Sequence, residues 1–203
     1  MSNSTIDNIV KKLKALQAEL EIEINQLISE KQQQFQYTLN NGKIEFDKTI
    51  KKIQLQYKIG SIRYIFSSKI KHLLTIPIIY SVIIPLVLLD LFVTLYQQIC
   101  FRVYNIPIVS RSKYIIIDRQ MLAYLNIFQK INCIYCGYGN GLIEYAREVS
   151  ARTEQYWCPI KHARRSPDPH YLVDSFTDYG DGENYNVKLK KLRDEIANIT
   201  SNE

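Results

Sequence analysis

No charged residue occurs between Leu73 and Leu89, and Asp90 is the only one between there and Phe101 in LLTIPIIYSVIIPLVLLDLFVTLYQQICF. Such a run excludes an ordinary surface helix and is rarely needed in a soluble core, whereas about 18 apolar residues are enough to cross a bilayer core of about 30 Å. Cysteine is scarce, with Cys100, Cys133, Cys136 and Cys158 in a chain of 203 residues. Cys100 falls at the end of the apolar run and leaves three others, an awkward number for a disulfide framework. A P-loop, an HExxH pair, a dinucleotide fingerprint and a Ser-His-Asp pattern are all missing, which lowers the expectation of an enzyme without excluding one. The first twenty residues lack the charged-then-apolar order of a secretory signal, and the apolar run starts too late to be one.

What is present is positive charge. The net charge is +6 and the isoelectric point about 9.0, which suits an anionic partner. Lys51, Lys52, Lys58, Arg63, Lys69 and Lys71 precede the apolar run, and Arg102, Arg111, Lys113 and Arg119 follow it. Juxtamembrane Lys and Arg are each worth ~1 kcal/mol against anionic headgroups. No RNA- or DNA-binding motif accompanies them, so anionic lipid is preferred to nucleic acid. Within the run, Pro77 and Pro85 each remove a backbone donor and bend a helix. The stretches either side of Pro85 would reach only about 18 and 24 Å at ~1.5 Å per residue, so a two-pass hairpin is not expected. A kinked single span and a re-entrant segment both remain, and the similar charge on the two flanks gives no orientation. Asp90 is a candidate functional residue because a carboxylate in hydrocarbon is costly; the alternative is an Asp at the interface or buried against protein.

The pattern divides the chain into residues 1–34, an amphipathic helix; 35–72, a β-hairpin and basic helix; 73–101, the membrane segment; 102–183, a Cys/His domain; and 184–203, a C-terminal helix and tail. In the first part Ile6, Leu13, Leu20 and Leu27 recur every seven residues, with Ile9, Val10, Leu16 and Ile24 alongside. Gln17 and Glu23 interrupt the second seam, so this helix is expected to pack on its own domain, a protein partner or a second copy. FQYTLNNGKIEFD alternates apolar and polar residues around Asn41-Gly42, the pair suited to a type I′ hairpin turn. Helices are expected over Lys48–Tyr57, Ile62–His72, Gln120–Lys130, Leu142–Trp157 and Asn186–Ile199. YIII from Tyr114 to Ile117 reads as a short strand, and Gly137, Gly139 and Gly141 as an open loop. The acidic DSFTDYGDGENY lacks EF-hand spacing and is expected to be a plain turn.

The sharpest chemical signal is Cys133-Ile-Tyr-Cys136 followed by Cys158-Pro-Ile-Lys-His162. Two thiolates in a tight knuckle, joined by a third thiolate and an imidazole, would make a tetrahedral Cys₃His set. The helix between the pairs would have to return the chain to close the site. Zinc is expected, with iron as the alternative, and His72 or His170 could replace His162. Each half also resembles a rubredoxin-type knuckle, although a His at a different spacing stands in the place of the fourth Cys. Arg147, Arg152, Lys161, Arg164 and Arg165 cluster around these ligands in sequence; on one face they would suit a lipid phosphate or anionic substrate, and otherwise they are surface charge. Arg147 and Arg152 therefore join Asp90 as catalytic candidates.

The block from PLVLLDLFVTLYQ through NCIYCGYGNGLIEYAREVSARTEQYWCPIKHARR, with the FQYTLNNGKIEFD hairpin, resembles an uncharacterised family of small bacterial membrane-associated proteins. The resemblance implies a shared architecture and no reaction. The expected fold is mainly α with a small β-hairpin, membrane-anchored, plus a small metal-binding domain. The expected role is a zinc-binding scaffold or interaction module at the cytosolic face of a bacterial inner membrane. The alternatives are a membrane-interface enzyme acting on a lipid or anionic headgroup, and a metal or redox sensor.

Overall fold

The computed structural model describes residues 2–40, 43–164 and 166–198 and is mainly helical, with one two-stranded antiparallel hairpin. Helix α1 (Ser2–Phe35) leads into β1 (Tyr37–Asn40) and β2 (Lys43–Phe46), whose register pairs Tyr37 with Phe46 and Leu39 with Ile44. The alternation expected from sequence is therefore present; the Asn41-Gly42 turn lies outside the described residues. Asp47 then caps α2 (Lys48–Gln56) by accepting the Thr49 amide at 2.7 Å. The basic stretch that follows divides into α3 (Ser61–Phe66) and the start of α4 (Ile70–Ser81).

Helices α4 and α5 (Ile83–Tyr96) meet at Val82, whose backbone is itself right-handed helical. The cause of the break is Pro85, which cannot donate to the Ser81 carbonyl one turn earlier. One αR residue bends a helix without reversing it. The chain thus continues through a π-helical turn (Gln97–Phe101) and α6 (Arg102–Tyr104) as a single helical span, Ile70–Tyr104, of 35 residues. Its most apolar stretch has no buried residue, and by length and composition it is the one helix among the described residues that could cross a membrane. Asn105 ends it in the left-handed conformation, with the Ile106 amide reaching back to the Phe101 carbonyl at 2.8 Å.

The chain returns through α7 (Arg111–Tyr114), residues 115–118 and a 3₁₀ turn (Arg119–Met121); no strand forms over Tyr114–Ile117. A single helix, α8 (Ile127–Trp157), follows. It opens with a capping box, in which Asn126 accepts the Gln129 amide and Gln129 accepts the Asn126 amide, both at 3.0 Å. Two separate helices joined by a glycine loop were expected here, so this is a correction. Gly137 and Gly141 share one helical face, and the returning chain lies directly on it. A Cβ at Gly141 would sit 2.4 Å from the Tyr114 carbonyl oxygen, and one at Gly137 would sit 3.0 Å from that of Ile116. The glycines make a bare strip for close backbone approach, which outweighs a helix-propensity cost of ~1 kcal/mol each.

Helix α8 runs parallel to the apolar span. Tyr80 pairs with Asn132, Tyr138 with Asp90, and Tyr96 with Thr153, so both sequences advance together. The core lies where the π turn, the return segment and α8 meet, and it holds Phe101, Ile106, Val109, Leu142, Tyr145 and Val149. Buried Gln97 joins these layers, donating to the Val109 carbonyl and accepting the Val109 amide at 3.2 and 3.0 Å. Helix α9 (Tyr185–Ala197) adds Ile196 to this core and Leu192 to a second cluster with Ala151, Leu172 and Phe176; Ile199, placed on the same face from sequence, lies outside the described residues.

Candidate functional site

Asp90 lies on α5 with a side chain only 15% exposed. The return segment brings Arg111 against it in a bidentate pair, Nε to Oδ1 at 3.0 Å and Nη2 to Oδ2 at 2.6 Å. The Tyr138 hydroxyl of α8 donates to Oδ2 at 2.9 Å, and that of Thr94 to Oδ1 at 3.3 Å. Four donors occupy the four lone-pair sites of an ionised carboxylate. Burial, and then the Asp90 carboxylate that its hydroxyl faces, push the Tyr138 phenol above its ordinary range. The arrangement is chemically a three-way tie between the apolar span, the return segment and α8.

Arg147 and Arg152 do not join Asp90 or each other. Arg152 is buried, paired with Glu148 at 2.7 Å and donating to the Pro107 carbonyl at 3.0 Å; Tyr171 donates to the same Glu148 oxygen at 3.1 Å. Arg147 is on the surface and grips Asp168 through both its carboxylate, at 3.0 Å, and its backbone carbonyl, at 2.9 Å.

Beyond α8 the chain is pinned by a two-way backbone bond. The Thr177 amide donates to the Pro159 carbonyl and the Lys161 amide to the Thr177 carbonyl, each at 2.8 Å. That tie shapes a polar basin of about 520 Å³ lined by Arg147, Lys161, His162, Arg164, Glu154 and His170, among others. His170 Nε2 meets Glu154 Oε2 at 2.9 Å, while its ring stands edge-on to Phe176 and its buried Nδ1 has no partner among the described residues. On the rim, Lys161 bonds Asp178 at 2.8 Å and holds its carboxyl below the usual carboxylate range. Of the five basic residues grouped from sequence, Arg147, Lys161 and Arg164 share the basin, Arg152 is in the core, and Arg165 lies outside the described residues.

The four expected metal ligands are not brought together. Cys133 and Cys136 are inside α8 rather than in a knuckle before it, and Cys158 is at its far end. An unbroken helix of roughly 22 positions between Cys136 and Cys158 spans about 33 Å at ~1.5 Å per residue. A tetrahedral zinc site needs all ligands within ~2.3 Å of one ion. The intervening helix separates the halves instead of returning the chain. Cys136 lines a groove of about 650 Å³ with His72, Tyr80 and Tyr135, whereas His162 lines the basin with His170. Among the described residues no three His, Cys, Asp or Glu side chains converge closely enough to hold an ion. These residues in this arrangement do not fit a closed Cys₃His centre.

Sequence reasoning placed Arg111 only among the juxtamembrane cations and missed Tyr138 and Glu154. Arg111 and Tyr138 are respectively 21 and 48 positions from Asp90, and no local pattern signals such pairings. Glu154 sits four residues before Cys158 on a helix face that reads as solvated charge. No family model, curated protein or solved structure matches the chain.

Proposed function

We propose that the protein is a membrane-anchored scaffold or interaction module at the cytosolic face of a bacterial membrane, held by Ile70–Tyr104 and by anionic lipid. The observation that carries this reading is the juxtaposition of an unburied apolar span with one-signed charge. From Lys48 to Leu89 there is no acidic residue, while Lys48, Lys51, Lys52, Lys58, Arg63, Lys69 and Lys71 are all exposed. On the span itself Leu74 is 72% and Phe92 67% exposed. An apolar face so uncovered calls for a partner that is itself apolar, and the adjacent cations call for one edged with negative charge. The zinc component is not carried forward, since α8 holds Cys133 and Cys136 well apart from Cys158 and His162.

The test is cell-free synthesis of the full chain with vesicles, followed by flotation. Flotation should be stronger with vesicles containing phosphatidylglycerol than with phosphatidylcholine alone. A Lys58→Gln, Arg63→Gln, Lys69→Gln, Lys71→Gln variant should lose that preference and still float. Folded protein remaining at the bottom of both gradients would contradict the reading.

A second reading, a membrane-interface enzyme acting on an anionic headgroup, is favoured by the basin alone. There an imidazole oriented by a carboxylate, His170 on Glu154, stands among Arg147, Lys161 and Arg164. Glu154 holds the ring in place, and Arg147, Lys161 and Arg164 are the groups that would contact the anion. Progressive displacement of the His170 ring resonances by glycerol phosphate would support this reading, and no displacement at millimolar ligand would remove it.

A further inference from the structure

Helix α1 extends about 51 Å at ~1.5 Å per residue. Every described side chain from Asn8 to Lys31 is exposed, and outside its own turns α1 touches little beyond β1. Ile9, Leu13, Leu16, Leu20, Ile24 and Leu27 are each between 44% and 62% exposed. Their spacings are four, three, four, four and three residues, a heptad seam with one four-residue stutter after Leu20. The stutter carries the seam past Gln17 and Glu23, which a strict seven-residue count places in it. Helices in water owe their stability mainly to packing of such a face, so an uncovered seam of this length calls for a partner helix.

Charge and spacing both specify which partner. Lys11, Lys12 and Lys14 occupy the first half of α1, and Glu19, Glu21 and Glu23 the second. The apolar seam is nearly palindromic about residues 16 and 17. Two copies laid antiparallel about that point set Ile9 level with Ile24 of the second copy, Leu13 with Leu20, and Lys12 with Glu21. A parallel pair would instead set lysines beside lysines and glutamates beside glutamates, which costs rather than contributes. We propose that α1 is an antiparallel homodimerisation helix, its two-fold axis passing near Leu16 and its occupant a second copy of this chain. A self-complementary patch of this kind closes as a two-fold dimer and does not propagate. The inference does not depend on the membrane reading, because it concerns a helix outside Ile70–Tyr104.

The test uses the full chain in detergent with Cys100, Cys133, Cys136 and Cys158 changed to Ser, after circular dichroism has shown parental helix content. Ile9→Cys and Ile24→Cys proteins, mixed and oxidised, should give a disulfide-linked mixed dimer, while Ile9→Cys alone should stay unlinked. In sedimentation the unmodified chain should have dimer mass and a Leu13→Glu, Leu20→Glu variant monomer mass. Efficient linking of Ile9→Cys to itself, or a monomer mass for the unmodified chain, would overturn the proposal.

Discussion

Gly141 on α8 lies against the Tyr114 carbonyl so closely that a methyl group there would stand 2.4 Å from the oxygen. That distance is well inside van der Waals contact, and both the neighbouring atom and the adjacent Ile115 Cα are backbone. Gly141→Ala should therefore destabilise the protein by about 1–3 kcal/mol despite alanine's better helix propensity. Gly182→Ala, where nothing lies within 4 Å, should not. Thermal unfolding of the two variants in detergent checks the contrast.

Asp90 and Arg111 should be energetically coupled. Removing one partner of a fully buried ion pair costs up to about 3–5 kcal/mol; here only Asp90 is buried and Arg111 is 44% exposed, so about 1–3 kcal/mol is expected for Asp90→Asn. A cycle with Arg111→Gln should show the double variant losing much less than the sum of the singles. Additive losses would show that the pair is not a unit.

The thiols should behave as two independent places. A Cys133→Ser, Cys158→Ser variant should keep parental helix content and lie within about 0.5 kcal/mol of parental stability, as substitutions away from a structural site do. Chelators should leave the fold unchanged. Joint loss of one zinc equivalent and of the fold in that variant would restore the Cys₃His centre.

Lys161 and Asp178 make a pH-dependent contact at the basin rim. The Asp178 pKa is lowered in the folded chain, so its stabilisation is present above the ordinary carboxylate pKa and is lost as pH falls through the folded value. Carboxyl-resonance titration should find the Asp178 midpoint below the usual range and returned to it by Lys161→Met. Because Asp178 is largely exposed, salt should weaken the effect.

Elements whose signals are local were legible in the sequence. The β1–β2 register follows from alternation around Tyr37, Leu39, Ile44 and Phe46, and the apolar span from its lack of charge. Helix α8 was split because a glycine at every second position reads as a loop. Only the return segment, folded back onto Gly137 and Gly141, shows that they are a packing face. The Cys/His residues are not brought together for the same reason, since a spacing that suits two knuckles joined by a turn spans about 33 Å once the residues between are helical. Asp90 stood out by its position, but its partners come from segments that only the fold brings near.

Alkaline carbonate extraction of membranes from bacterial cells expressing the full chain tests whether Ile70–Tyr104 is inserted in the bilayer. Carbonate strips proteins held only by charge and leaves those inserted in hydrocarbon. The protein should stay in the membrane pellet, and Ile84→Arg with Leu88→Arg, both at exposed positions of the span, should release it. Release of the unmodified, folded chain into the supernatant would contradict insertion of Ile70–Tyr104.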